Sequence, residues 1–84
     1  MPYIEQHLRV NYDNILNEIQ EINTKGDLEY CIFKLMLTYM KTRKGNYTNL
    51  HDCTYAAQHC SDEFRRRLLD TREDFAIENN GDIL

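Results

Sequence analysis

The spacing of the apolar side chains is the feature that most constrains this chain. Three successive stretches place apolar residues at steps of three and four, which is the period of an amphipathic α-helix. The first stripe comprises Ile4, Leu8, Tyr12, Ile15, Ile19 and Ile22. The second comprises Leu28, Cys31, Ile32, Phe33, Leu35, Met36, Tyr39 and Met40. The third comprises Leu50, Cys53, Ala57, Cys60, Phe64 and either Arg67 or Leu68. We therefore predict an all-α fold, a small three-helix bundle.

Helix-breaking residues are too few for a fold with many turns. The chain has only one proline and three glycines, which disfavours a β architecture. Gly26 followed by Asp27 is typical of one helix ending and the next being capped. A glycine and an asparagine at 45–46 are expected to end the second helix, and Thr48 or Asn49 is expected to cap the third.

The length of 84 residues predicts one domain. A chain of this size buries only about two-thirds of its unfolded surface, so its stability is modest unless it associates with other copies. We predict a single helical domain over residues 1–78, a flexible and only partly ordered C-terminal tail over residues 79–84, and a homo-oligomer.

The charge of the chain is low and unevenly distributed. The formal net charge is −4, which disfavours binding to duplex DNA or to an anionic membrane. Residues 1–24 carry one basic and four acidic residues, residues 25–44 carry five basic and two acidic, and residues 68–84 carry one basic and five acidic. A basic middle between acidic ends allows chains to pair with each other. No apolar run reaches the roughly 20 residues of a membrane span, and no signal segment opens the sequence, so we expect a cytoplasmic protein.

Cysteine and histidine occur close together in the third stripe, but their spacing does not favour a site. His51, Cys53, His59 and Cys60 diverge around one helix, whereas zinc requires ligands that converge as a tetrahedron. Cys53 and Cys60 lie two turns apart, about 10.5 Å along the axis, which is too far for a disulfide. We expect reduced, buried thiols. No glycine-rich turn presents a nucleophile, so we predict no enzyme, no cofactor and no metal.

Three consecutive arginines, Arg65, Arg66 and Arg67, are the sharpest polar feature. On an α-helix they spread through about 200°, so they do not share one face. In one interpretation they are solvated and paired with nearby carboxylates. In the other, one or two of them bind phosphate or an acidic partner surface. Glu63 is four residues before Arg67 and is expected to pair with it and fix its guanidinium.

Tyrosine is unusually frequent, with six in the chain. Tyr3, Tyr47 and Tyr55 fall outside the apolar stripes and are less easily buried than the others. Exposed tyrosine beside arginine is typical of interfaces, and of sites that stack a base and hold a phosphate. The predicted ligand- or partner-binding residues are therefore Arg65, Arg66, Arg67, Tyr3, Tyr47 and Tyr55.

Four short motifs occur in an order that resembles a known family. They are MPYI at 1–4, GDLEY at 26–30, EFRRR at 63–67 and ENNGDI at 78–83. The sequence resembles a family of small uncharacterised proteins of bacteria and their phages with the pattern MPYI…GDLNY…EFYRR…NGD. It departs from that pattern at Arg65, which replaces an aromatic residue. It also departs at Thr71-Arg72, which replace a Pro-Tyr pair, so the third helix is expected to run longer here.

A phage origin implies a small accessory protein. Such a protein would counteract host defence by occupying a host protein or by sequestering an anionic, nucleotide-like ligand, an expectation that rests on analogy. The alternative is a structural assembly module in which Arg65–Arg67 pair with the acidic tail of a neighbouring chain. A nucleic-acid-binding regulator is less favoured, because the second helix is too apolar for a recognition helix.

Overall fold

Helices account for all regular secondary structure in the part of the chain that a computed structural model describes, residues 2–84. They are α1 (Gln6–Asn17), α2 (Lys25–Met40), α3 (Tyr47–Phe64), a short π-helix (Arg65–Leu69) and α4 (Asp70–Asn80). The last three follow one another without a break, and we call them together the long helix. The all-α prediction is confirmed, and the third helix does run on past Thr71-Arg72.

The start of α2 differs from the prediction. Thr24 is its N-cap, and the Thr24 Oγ1 accepts a hydrogen bond from the backbone N–H of Asp27 at 3.0 Å. Gly26 and Asp27 therefore lie in the first turn of α2 and not at a junction between helices. The helix begins earlier because a threonine oxygen satisfies a free N–H of the first turn, and the charge of Asp27 then favours the positive end of the helix dipole.

The start of α3 is also earlier than predicted. Asn46 is the N-cap, in extended backbone conformation, and its Oδ1 accepts from the backbone N–H of Asn49 at 2.9 Å. Thr48 and Asn49 are consequently inside the helix. The two predicted caps were wrong because Asn46, which was assigned to the end of α2, is the better placed side-chain acceptor.

The ends of α1 and α4 complete the corrections. The first helix ends at Asn17, so Ile19 and Ile22 lie in the connection to α2 and not on its stripe. At the other end, α4 runs to Asn80, two residues into the predicted tail over residues 79–84, and stops at Gly81 with φ of 90°. Glycine adopts this left-handed conformation without the strain of a Cβ, so it ends the helix.

The packing between helices is sparse. Helices α2 and α3 lie against each other, and Cys53, only 6% exposed, points its Sγ at the carbonyl oxygen of Met36 at 3.6 Å. Among residues 2–84, Cys53 is the one buried residue. No Cα of α1 comes within 8 Å of another described helix. The three-helix bundle thus stays a prediction.

The surface of the chain is large for its mass. It exposes 8061 Å², whereas a compact monomer of 10.1 kDa exposes roughly 5,300 Å². The radius of gyration is 16.6 Å, against roughly 12 Å for a compact domain of this length. A single copy therefore leaves much apolar surface in water.

We expect Asn46→Ala to destabilise the protein by about 1 kcal/mol, since it removes the acceptor that caps α3. Urea unfolding followed by helical circular dichroism, at one fixed protein concentration, measures the change. Asn14→Ala, inside α1, is the matched control and is expected to leave stability unchanged or slightly higher. Equal effects of the two substitutions would contradict the capping role.

Candidate functional site

The long helix widens at the arginines. The backbone N–H of Asp70 donates to the carbonyl oxygen of Arg65, five residues back, which is the hydrogen bond of a π-helix. Short π segments within α-helices are rare and occur frequently at functional sites. The three arginines thus lie on a π-helical turn, whereas their predicted spread of about 200° assumed a regular α-helix.

Arg66 is the arginine that Glu63 neutralises. Its Nε donates to the Glu63 Oε1 at 2.7 Å, and its Nη2 lies 2.5 Å from the same oxygen. The Glu63 side chain is only 14% exposed, so the carboxylate is partly shielded from water. The predicted pairing of Glu63 with Arg67 is wrong. The observed pair spans three residues instead of four.

Arg67 turns instead to the N-terminal segment. Its Nη1 donates to the Tyr3 hydroxyl oxygen at 3.2 Å, and its Cζ lies 5.9 Å from the centre of the Tyr3 ring. Within residues 2–84, no carboxylate lies within 4 Å of the Arg67 or Arg65 side-chain nitrogens. Two of the predicted site residues, Tyr3 and Arg67, are therefore brought together, and the charge of Arg67 is met only by a hydroxyl.

A groove lies beside this contact. Its volume is about 360 Å³, at the lower end of the range for small-molecule sites. Its walls are Pro2, Tyr3, Cys60, Glu63, Phe64, Arg67 and Leu68. We call it the Tyr3–Arg67 groove. Since Glu63 is paired with Arg66, the groove combines aromatic and aliphatic walls with one guanidinium.

Tyr47 and Tyr55 lie elsewhere, in a row of rings along α3. The row is Tyr47, His51, Tyr55 and His59, with successive ring centres 5.2, 4.2 and 5.7 Å apart. The two histidines were not among the predicted site residues. Their regular spacing is nevertheless visible in the sequence, since the four ring-bearing residues follow one another at steps of four.

The ring row and the arginines are neighbours on the long helix. His59, the last ring of the row, shares a second groove of about 230 Å³ with Pro2, Asp62, Glu63 and Arg66. Arg65 lines neither this groove nor the Tyr3–Arg67 groove. Among the described residues, side-chain hydrogen bonds and ring contacts join only Tyr3 and Arg67 of the six predicted residues, so the six are not gathered at one groove.

The thiols are more varied than expected. Cys53 is buried, Cys31 is half-buried, and Cys60 is exposed at the Tyr3–Arg67 groove, so the prediction of buried thiols is wrong for Cys60. Among the described residues, no group of three or more His, Cys, Asp and Glu side chains is placed to hold a metal ion. In the same part of the chain, no helix is long and apolar enough to cross a membrane.

Comparison with known proteins places the chain within one family. A family model described as a domain of unknown function (DUF6899) matches residues 1–83. The match includes both the N-terminal segment and the long helix, and hence both walls of the Tyr3–Arg67 groove. No curated protein and no solved structure matches the chain.

We expect the thiols to differ in alkylation rate by more than tenfold, with Cys60 fastest and Cys53 slowest, because a thiol must reach solvent to react. Timed treatment with iodoacetamide followed by peptide mass spectrometry measures the three rates separately. The fully unfolded chain in urea is the control, and its three rates should converge. Rapid alkylation of Cys53 in the folded protein would contradict the packing of α2 on α3.

Proposed function

We propose, from the premise that this chain belongs to the DUF6899 family of unknown function, that it is a non-enzymatic helical binding protein. Its ligand is an anionic, nucleotide-like molecule held in the Tyr3–Arg67 groove. The observation that carries this proposal is the Arg67 guanidinium at an apolar and aromatic groove, paired with a tyrosine hydroxyl and with no carboxylate.

The chemistry of the groove suits the two parts of a nucleotide. A guanidinium binds phosphate oxygens by charge-assisted hydrogen bonds, often two at once. The rings of Tyr3 and Phe64 offer faces on which a base stacks, an interaction worth about 1–3 kcal/mol per base. Because Glu63 already neutralises Arg66, the net positive charge in the groove is that of Arg67.

The biological setting is part of the same proposal. The resemblance to small proteins of bacteria and their phages supports an accessory role in the cytoplasm of a host, where the protein removes a nucleotide-like signal of host defence. Sequestration needs affinity and no catalytic group, so a small chain with an open groove suffices for it.

Arg67→Ala is expected to weaken nucleotide binding about tenfold or more, since it removes charge-assisted hydrogen bonds of about 1.5–3 kcal/mol. Calorimetric titration of the full chain with AMP measures the affinity, with adenosine and inorganic phosphate as the two halves of the probe. Arg72→Ala, on α4 and outside the groove, removes the same charge and is the matched control. AMP should also slow the alkylation of Cys60 in the groove wall.

Three outcomes would count against this function. If neither AMP nor any other nucleotide binds measurably, the proposed ligand class is rejected. Phosphate binding as tightly as AMP would show that the groove wall contributes nothing. Retention of an acidic host protein by the native chain, lost in Arg67→Ala, with no nucleotide bound, would replace the small ligand with a protein partner.

A structural assembly module is the second candidate, favoured by the exposed apolar side chains of α1 and α2. In the version with Arg65–Arg67 paired to the acidic tail of a neighbouring chain, the assembly depends on charge. The mass of the assembly should then decrease as the NaCl concentration is raised from 0.05 to 1 M, because salt screens exposed ion pairs. Light scattering across that range measures the size, and an unchanged mass would reject the arginine–tail pairing.

A further inference from the structure

Apolar surface is exposed on the two helices that do not belong to the long helix. The α1 stripe consists of Leu8, Tyr12, Ile15 and Leu16, and all four side chains are exposed, Ile15 to 67%. These positions repeat at steps of three and four, so they form one continuous face of α1. No described helix of the same chain comes near this face.

The second helix is exposed on both of its flanks. Met36 and Met40 are half-buried and lie on the side of α2 whose Met36 carbonyl oxygen meets the Cys53 Sγ of α3. In contrast, Leu28 and Leu35 on one flank, and Phe33 and Leu37 on the other, are exposed, Phe33 to 62%. A helix that is apolar around most of its circumference is typical of a buried position. Helix α2 is therefore covered on one side only within a single chain.

We infer that a second copy of this chain covers these faces, with α1 of each copy packed on α2 of the other. Such a two-fold arrangement forms the α1–α2 contact twice and closes on itself. The α1–α2 contact lies apart from the Tyr3–Arg67 groove, which is built from the N-terminal segment and the long helix, so the contact does not depend on the proposed ligand.

The area is the first argument for a second copy. One chain exposes roughly 2,800 Å² more than a compact monomer of its mass. Burying this excess on two chains gives an interface in the upper part of the range of obligate homodimers, which bury about 2,000–5,000 Å² or more and are mainly apolar. A partner that forms an interface of standard size covers about 800 Å² per side, which is far less than the excess.

Charge is the second argument, and it concerns the segments beside the two helices. Residues 1–24 carry one basic and four acidic residues, and residues 25–44 carry five basic and two acidic. All of this imbalance lies outside α1 and α2, which are each formally neutral. The two helices can therefore pack without opposing net charge, and the flanking segments of opposite sign favour α1 on α2 over α1 on α1.

The first test is the mass of the native full chain in solution. We expect a species of twice 10.1 kDa by sedimentation equilibrium at 10 μM, and an unfolding midpoint that rises with protein concentration. Because the interface is mainly apolar, this mass should persist in 1 M NaCl. A larger assembly with an even number of copies also supports the two-fold contact. A monomer with a concentration-independent midpoint would overturn it, as would a closed ring with an odd number of copies.

Single substitutions locate the interface. Ile15→Asp places a charge in the middle of the α1 stripe and is expected to lower the fraction of dimer at 10 μM at least tenfold. Asn14→Asp adds the same charge one position away, off the stripe, and should leave the dimer intact. Dimers of equal stability in the two variants would reject α1 as the interface.

Hydrogen exchange keeps the test informative if Ile15→Asp fails to fold. In the native chain, amides of α1 are expected to be protected, although α1 has no helical neighbour in its own chain. Their protection should fall on dilution below the dissociation constant, while α3 amides beside Cys53 lose protection last. Protection of α1 that is independent of dilution would contradict a second copy as its cover.

Discussion

The uninterrupted long helix is the constraint on which the rest of the structure depends. Its roughly 34 residues rise about 51 Å at 1.5 Å per residue, in line with the 50 Å longest dimension of the molecule. Helices α1 and α2 have 12 and 16 residues, or about 18 and 24 Å. Laid end to end they are shorter than the long helix, so one chain cannot enclose it. The mismatch of lengths leaves part of the long helix uncovered. The α1 stripe is exposed for a different reason, because α1 packs on no other described helix.

The helical class was predictable from the sequence because the spacing of apolar residues indicates a helix even where the predicted helix ends are wrong. The boundaries were less predictable, since more than one side-chain acceptor was available at each start. At α2 the Thr24 hydroxyl prevailed over Asp27, and at α3 the Asn46 amide prevailed over Thr48 and Asn49. At the other end, no glycine or proline interrupts the sequence from Tyr47 to Asn80, so α4 continues two residues into the predicted tail over residues 79–84.

The candidate site was predictable only in its composition. The choice of Tyr3 and Arg67 came from residue type, but their contact joins positions 64 apart in the chain, which no local pattern encodes. The ring row is the opposite case, because a spacing of four on one helix suffices to stack Tyr47, His51, Tyr55 and His59. Those histidines were considered only as metal ligands, so their stacking with tyrosine was missed.

The π segment explains why neighbouring arginines differ in their partners. On a regular α-helix, Glu63 can reach residues three and four positions later, and the same carboxylate would compete for Arg66 and Arg67. The helix instead widens from Arg65 onward, and Glu63 holds Arg66 alone. Arg67 lies one residue further into the widened turn and meets the Tyr3 hydroxyl. One guanidinium is thereby neutralised within the helix, and the next keeps its charge at the wall of a groove.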